Sequence, residues 1–534
     1  MVIEIELKYS LLKSRELATS EQIQAKVSQL FSEHELLFVH QEQQLSNHYF
    51  DTENLALRKN KIALRTRGTK RLGEDKQFEQ TIKTSGSVIG GLHQRPEYNV
   101  DIDDAKPILD LFSKSIWQAG TDVNQLQQQI VELFTTNFTR HTWLVSLTNA
   151  QVEVAFDYGE IACQASANKP CIYELELELV SGDAQALFEL TKILFSQLPL
   201  RPGLLTKAAR GYALYHQSIS STELVETKCV TETPVEQLSL SMINLPTDSN
   251  LNCAFNHGIE FSLTQLQYSV DSYVEKPSLS KLSKISELLA LLRHGFWLFS
   301  ELLTDEQKAL RSEISYFIRT IHWVDNAHYI QLLTSKQSSY QKAASVNQEL
   351  IIKLQLTQNR YPSESQVLAL LHSERFNNLL LSLLILLLER NRANTKESPS
   401  DPSLVDFAVQ QLTNGTQVLN NELVKLTQPL GCSSTKLYLT AHSSLIRALL
   451  TTSWFSGLFA ELESEQVKKF SMPWLDIKQG ISELQSLNLL QEQLVHLPTP
   501  EIKLSNWLTS KSENLIIALD QSSAKALTMK PYWP

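Results

Sequence analysis

Val2-Ile3-Glu4-Ile5-Glu6-Leu7-Lys8-Tyr9 alternates without a slip. In an extended chain Ile3, Ile5, Leu7 and Tyr9 share one face and Glu4, Glu6 and Lys8 the other, because strand side chains alternate with period two. The pattern returns at Ile172–Val180, where Glu174, Glu176 and Glu178 line one face and leucines the other. Three like charges stacked along one strand repel each other and need cations to be tolerated. A metal ion or a basic partner is implied.

The stretches between these two strands follow the same design. Arg65 and Arg67 alternate with Leu64 and Thr66; Glu79, Thr81 and Lys83 alternate with Gln80 and Ile82; Arg95 and Glu97 follow the Gly90-Gly91 turn; Glu153 and Asp157 share a face across Ala155. Further strands are expected at Leu45–Asp51, Ile62–Arg67, Gln77–Lys83, Leu92–Val100, Phe138–Leu147, Gln151–Asp157 and Cys171–Val180. Helices are expected within Ser14–Glu33 (apolar at Ile23, Val27, Leu30 and Phe31), Ile108–Trp117, Val123–Phe134, Ala184–Gln197 and Leu205–Tyr215. If helices cover the apolar face from outside, a closed barrel of about eight strands encloses the charged one and holds a small ligand. The alternative is an open sheet with its charges in water. Acids and bases recurring together on many strands favour the enclosed tunnel.

At 534 residues the chain exceeds a single core. Its net charge of −10 argues against a nucleic-acid binder. The five cysteines, Cys163, Cys171, Cys229, Cys253 and Cys432, lack zinc-ligand spacing and read as reduced thiols of a cytoplasmic protein. Acidic residues from Glu4 onward read against a secretion signal, and the longest apolar run, Leu379–Leu388, is too short to span a bilayer, so no membrane partner is expected. Gly86-x-x-x-Gly90-Gly91 lacks the Gly-Lys-Ser/Thr ending of a phosphate-binding loop and reads as a turn. His93, His294, His322, His328 and His442 show no metal spacing and read as core or surface histidines.

The expected organisation is α+β: a barrel domain with flanking helices over residues 1–216, a Ser/Thr-rich linker over 217–255, and an all-helical domain of two repeats over 256–534, broken near Asn391–Ser403 by Pro399 and Pro402.

Residues 2–212 resemble the CYTH family, the triphosphate tunnel metalloenzymes. The resemblance lies in Glu4-x-Glu6-x-Lys8, Tyr49-Phe50-Asp51-Thr52, Ala63-Leu64-Arg65-Thr66-Arg67, Thr81-Ile82-Lys83, Arg95-Pro96-Glu97-Tyr98, Glu174-x-Glu176-x-Glu178 and Thr206-Lys207-Ala208-Ala209-Arg210. Gly90-Gly91-Leu92-His93-Gln94-Arg95-Pro96-Glu97-Tyr98 looks like the bacterial inorganic triphosphatase subgroup that joins CYTH to a CHAD domain. Leu292-Arg293-His294, Ser373-Glu374-Arg375-Phe376 and His442 are similar to CHAD signatures, but Ser443, Ser444, Leu449 and Thr451 stand where typical CHAD helices carry bases.

The resemblance implies hydrolysis of inorganic triphosphate to pyrophosphate and phosphate. Lys8, Arg65, Arg67, Lys83, Arg140, Lys207 and Arg210 would grip the substrate, and Glu4, Glu6, Lys8 and Lys83 would act in catalysis. Glu4, Glu6, Asp157, Glu174, Glu176 and Glu178 would hold Mg²⁺ or Mn²⁺, with Glu97 behind them, because carboxylates meet phosphates only through hard cations. Tyr49 and Asp51 fit either a hydrogen bond to a lysine or a water, or a packing or turn role. The alternatives are an organic triphosphate such as thiamine triphosphate, cyclisation of a nucleoside triphosphate, or contact of the CHAD-like half with polyphosphate or another protein.

Overall fold

The computed structural model describes residues 2–14, 17–223, 242–334, 348–393, 403–426, 434–459, 465–495 and 502–534. The chain divides into two compact units, residues 1–231 with 369–381, and residues 232–368 with 382–534.

The first unit carries ten strands: β1 (Val2–Leu11), β2 (Leu37–Thr52), β3 (Ala63–Arg71), β4 (Gln77–Lys83), β5 (Ser87–Ile89), β6 (Leu92–Ile102), β7 (Ile130–Leu147), β8 (Ala150–Ala162), β9 (Cys171–Gly182) and β10 (Leu200–Pro202). They run in the order β10-β1-β9-β8-β7-β2-β3-β4-β6-β5, all antiparallel. One more ladder, from Val2↔Glu97 to Leu7↔Leu92, joins β1 to β6. That pairing closes eight strands into the expected barrel, leaves β5 and β10 as short additions, and excludes the open sheet.

Helices α1 (Ser20–Glu33), α2 (Ala56–Lys59), α3 (Val123–Gln129), α4 (Gln185–Phe195) and α5 (Lys207–Glu223) accompany the strands. A capping box between Thr19 and Gln22 starts α1. Its buried stripe is Ile23, Val27, Leu30 and Phe31, and Trp143 of β7 donates to Ser28 from beneath. Each such side chain contributes about 1.5–3 kcal/mol on burial before entropy is counted. Covering the apolar face in this way leaves the charged face directed inward.

Two expected helices take other forms. Over Ile108–Trp117 only the 3₁₀ turns Leu109–Leu111 and Lys114–Ile116 form, and Leu109 and Phe112 still cover Leu64 and Ile82. Over Val123–Phe134 the helix stops at Gln129, and from Ile130 the chain is strand, paired with β2 from Thr52↔Ile130. Ile130, Val131, Thr135 and Thr136 are β-branched, and the partner strand decides between two short-range preferences.

The second unit is helical: α6 (Leu251–Glu275), α7 (Leu279–Leu298), α8 (Asp305–Ile321), α9 (Trp323–Thr334), α10 (Gln348–Gln358), α11 (Glu364–Leu371), α12 (Glu374–Ala393, entering the first unit in part), α13 (Leu404–Leu426), α14 (Ser434–Phe455), α15 (Glu465–Val495) and α16 (Ile502–Thr528). Trp454 lies against Gly258 and Gly295, where a Cβ would come within 1.9 and 2.2 Å of its ring. Helices occupy both ends of the polar stretch 217–255; residues 224–241, and 394–402 with Pro399 and Pro402, lie outside the described residues. Among the described residues no single helix is long and apolar enough to cross a membrane; the bent pair Glu364–Leu371 and Glu374–Asn391 meets that test only jointly.

Candidate active site in a charged tunnel

The strand residues singled out in the sequence as ligands for metal or phosphate share the interior face of the barrel, and Lys207 and Arg210 reach the same carboxylates from α5. Cross-strand register explains why, since directly opposed residues share a face. Ser10, Glu174, Asp157 and Arg140 form one row across β1, β9, β8 and β7. Lys8, Glu176 and Ala155 form the next, and Glu6, Glu178 and Glu153 the one after it. On the far side Arg67 faces Asn47 and Glu79, and Lys83 faces Glu97.

The first two rows are neutralised within the protein. Arg140 holds Asp157 through Nε and Nη2, both at 2.7 Å, and reaches Glu176 at 2.6 Å. Lys207 lies 2.6 Å from Asp157, 2.5 Å from Glu174 and 2.9 Å from Glu176. Lys8 donates to Glu176 at 2.7 Å, and Arg210 to Glu174 at 2.5 Å. Burial alone would raise Asp157 and Glu176, yet Arg140, Lys207 and Lys8 hold both carboxyls below their ordinary range. In return, against burial, Asp157, Glu174 and Glu176 raise Lys207 to about 12.

The third row is not. Among the described residues no cation lies within 4.0 Å of Glu178. Burial, then Glu4 and Glu6, push its carboxyl up to about 7. Glu6 meets only Lys8, at 3.2 Å, and burial raises it more than Lys8 lowers it. Glu4 is held by Lys83 at 2.6 Å.

The opposite wall carries the reverse excess. Arg67 donates to Asn47 at 2.8 Å, and burial with Arg65 and Arg140 drives its guanidinium down to about 10. Arg65 reaches Glu97 only at 3.5 Å, and its buried Nε has no hydrogen-bond partner among the described residues. Anion-seeking arginines therefore face cation-seeking carboxylates across one enclosed space.

Helix α5 lies at one end of the barrel and brings Lys207 and Arg210 to these carboxylates. Gly211 makes the approach possible, since a Cβ there would meet the Phe134 ring at 2.0 Å. Tyr49 stacks on Phe134 with centroids 4.6 Å apart, and Tyr212 meets Phe134 edge-on. Asp51 accepts from the Leu57 and Arg58 backbone N–H groups and from Tyr212, so it anchors α2 and α5. The turn reading holds for Asp51 and packing for Tyr49.

Three interior residues were missed or undervalued in the sequence. Glu153 completes the unneutralised row, and the alternation that put it beside Asp157 already gave the signal. Arg201 of β10 lies opposite Ser10, and burial with Arg210 lowers it to about 10; a three-residue strand leaves no periodicity to read. His93, read as a core or surface histidine, lies opposite Glu6 on the interior face.

The carboxylates suit a hard divalent ion. Asp157, Glu174 and Glu176 offer oxygens within 4.8 Å of one another, but those oxygens already accept from Arg140, Lys207, Lys8 and Arg210. The row through Glu6 and Glu178, where Lys8 beside Glu6 is the one counterweight among the described residues, fits the ion better.

Residues 3–212 match the CYTH domain family. The chain is 34% identical over 215 residues to the inorganic triphosphatase of Haemophilus influenzae, a stretch covering 40% of this chain and 55% of that relative. It thus spans about half the length of the curated relative it matches. Two solved structures overlap with it. A Hippeastrum protein, described as an adenylyl cyclase with dominant triphosphatase activity, is 17% identical, with a TM-score of 0.27, over 39% of this chain and 95% of that one. The CHAD domain from Ricinus communis is 16% identical, with a TM-score of 0.40, over 55% of this chain and 98% of that one. The match to the CYTH domain family over residues 3–212 falls on the closed barrel that carries this interior.

Proposed function

We propose that the tunnel hydrolyses inorganic triphosphate to pyrophosphate and phosphate with Mg²⁺ or Mn²⁺. The observation that carries this reading is the segregation of charge, Arg65 and Arg67 against Glu6, Glu178 and Glu153. An anion alone would satisfy one wall and a cation alone the other. A metal-bound polyphosphate satisfies both.

Phosphoryl transfer passes through a loose transition state, so catalysis is chiefly positioning and charge neutralisation. Arg65 and Arg67 present guanidinium forks suited to phosphate oxygens, while Lys8, Lys83 and Lys207 supply compact charges. Binding requires exchange: Lys8, Lys83 and Lys207 turn from Glu176, Glu4 and Glu174 to the phosphates. Glu4, Glu6 and Glu178, with Glu153 and a share of Glu176, would hold the ion. Asp157 and Glu174 serve mainly to fix Arg140, Lys207 and Arg210. When bound, a divalent ion withdraws charge from the phosphates and makes its water a better nucleophile.

An inorganic substrate is favoured over an organic one because Tyr49, Phe134 and Tyr212 bury their rings against one another and offer no face to a base. Release of phosphate and pyrophosphate by the full chain, with Mg²⁺ or Mn²⁺ and compared across inorganic triphosphate, ATP and thiamine triphosphate, tests the reading. Intact inorganic triphosphate in the presence of folded protein and either ion refutes it, as does faster turnover of an organic triphosphate.

A second activity is supported by the helical unit. Ser443, Ser444, Leu449 and Thr451 stand where bases would grip a polyanion. Arg293, Lys308 and Arg311 nevertheless line a cleft of about 230 Å³ with Ser300, Ser312 and Ser315. Burial, then Arg311, Arg319 and Arg447, lower the Arg293 guanidinium, so like charges gather there. We propose that this cleft takes a polyanion such as polyphosphate. Loss of polyphosphate retention by the full-length R293E/R311E chain supports it, and retention equal to wild type overturns it.

A further inference from the structure

The outer wall of the barrel carries a cluster that the tunnel does not use. His40 and Glu42 lie two residues apart on β2 and so share a face, and His141 of β7 stands directly opposite Glu42. That face is the outer one, since Trp143, two residues beyond His141, donates to Ser28 of α1. Two histidines and a carboxylate from adjacent strands thus gather where α1 begins.

The ring nitrogens are spaced for an ion. His40 Nε2 lies 3.4 Å from His141 Nδ1. The ring planes are 14° apart with centroids at 5.5 Å, so the rings meet edge to edge through these nitrogens. Two imidazoles on one tetrahedral Zn²⁺, each bound at about 2.0–2.1 Å, place their nitrogens about 3.3–3.4 Å apart. At the far side of its ring, His141 Nε2 lies 3.1 Å from Ser20 Oγ. A hydroxyl accepts as readily as it donates, so Ser20 can take the Nε2 proton and leave the Nδ1 lone pair to a metal. Metal-bound histidines are commonly oriented through their second nitrogen in this way.

Glu42 Oε2 lies 3.9 Å from His141 Nδ1, on a side chain that is 59% exposed. The three donors are not drawn within 4.8 Å of one another, as those of Asp157, Glu174 and Glu176 are, and rotation of the solvent-facing Glu42 carboxylate closes the set. Burial, then the His141 ring, lower His40, and burial lowers His141 against the pull of Glu42 and Glu21. Both rings therefore stay neutral at neutral pH, as ligation requires, while two carboxylates favour a cation beside them.

We propose that His40, Glu42 and His141 form a Zn²⁺ site on the outside of the barrel, separate from the tunnel. Two imidazoles and one carboxylate suit Zn²⁺, whereas Mg²⁺ prefers oxygen ligands alone. The ion replaces the proton through which the two rings otherwise meet, and it ties β2 to β7 with Ser20 of α1 behind them. A fourth position is left to water. The site stands whatever the tunnel hydrolyses.

The test measures Zn²⁺ binding to the full chain by titration calorimetry, with excess Mg²⁺ competing for the tunnel carboxylates, in wild type, H40Q, E42Q and S20A. Wild type is expected to bind one Zn²⁺ that H40Q holds at least about 100-fold more weakly, and E42Q and S20A about tenfold more weakly. Zn²⁺ should raise the melting temperature of wild type and leave that of H40Q in place. Melting in EDTA shows whether each variant folds, and E42Q, changed at an exposed side chain, carries the comparison if H40Q does not. Zn²⁺ affinity equal to wild type in H40Q, or in E42Q where H40Q fails to fold, overturns the proposal. So does a wild-type melting temperature that Zn²⁺ leaves unchanged.

Discussion

Glu178→Gln is expected to stabilise the metal-free protein while weakening its use of metal. Glu178 holds its proton to about pH 7 in the fold, against a reference near 4.5. Between those values the folded state binds more protons than the unfolded chain, so stability falls as pH rises. At 1.36 kcal/mol per pH unit this displacement is worth at most about 3 kcal/mol. Relaxation and residual solvent contact reduce it to about 1–2 kcal/mol, felt fully only above pH 7. Gln keeps the shape and removes the charge. In EDTA at pH 8.5 the melting temperature of E178Q should rise by about 3–6 °C, and at pH 5 the two proteins should melt within about 1 °C of each other. Hydrolysis at limiting Mg²⁺ should fall at least about tenfold, because a ligand has been lost where no other cation stands. Calorimetry in EDTA at the two pH values, with a Mg²⁺ titration of activity, reads all three. A melting temperature unchanged at pH 8.5, or a Mg²⁺ requirement unchanged in E178Q, refutes the assignment of this row as the unneutralised metal site.

Asp157→Asn should act in the opposite sense, since it takes one of two carboxylate partners from Arg140 and one of three from Lys207 in the interior; a loss of about 2–4 kcal/mol is expected, read as a lower melting temperature in EDTA. Because Asp157 and Glu176 are held below their ordinary range, the stability they confer is present above about pH 4 and lost on acidification, so wild type should show an acid limb that D157N, which keeps Glu176, shows in shallower form. Arg67→Gln removes a guanidinium opposed by Arg65 and Arg140; KM for triphosphate should rise about tenfold or more while the melting temperature stays level or rises. Gly211→Ala drives a Cβ into Phe134 and should cost about 1–3 kcal/mol, with activity falling as α5 withdraws Lys207, seen in near-ultraviolet circular dichroism and in turnover.

The barrel was legible because its strands carry two signals at once. Period-two alternation located eight strands, and charge on the hidden face showed that this face had to be enclosed. Closure itself could not be read from any one strand, because the ladder between Val2–Leu7 and Leu92–Glu97 is a long-range pairing with no local signature. Helix Val123–Gln129 was overextended for the same reason. Its last residues have helical spacing and β-branched composition together, and only the partner β2 decides between them.

Within the site, residue type and face were legible, but the apportioning of charge was not. Glu174, Glu176 and Glu178 read as equivalent along their strand, yet neighbours on other strands separate them. Glu174 and Glu176 face Lys207, Arg210 and Lys8, whereas Glu178 faces Glu6 and Glu153. A shift of two residues along one strand thus turns an ion-paired support into a carboxylate whose charge is unmet. The same holds for bases, since Arg140 is consumed by Asp157 and Glu176 while Arg67, four strands from β9, is pressed by like charges. Stacked like charges rightly implied a cation. They could not show that the protein supplies its own cations for two of the three rows and leaves the charge of Glu178 and Glu153 unmet.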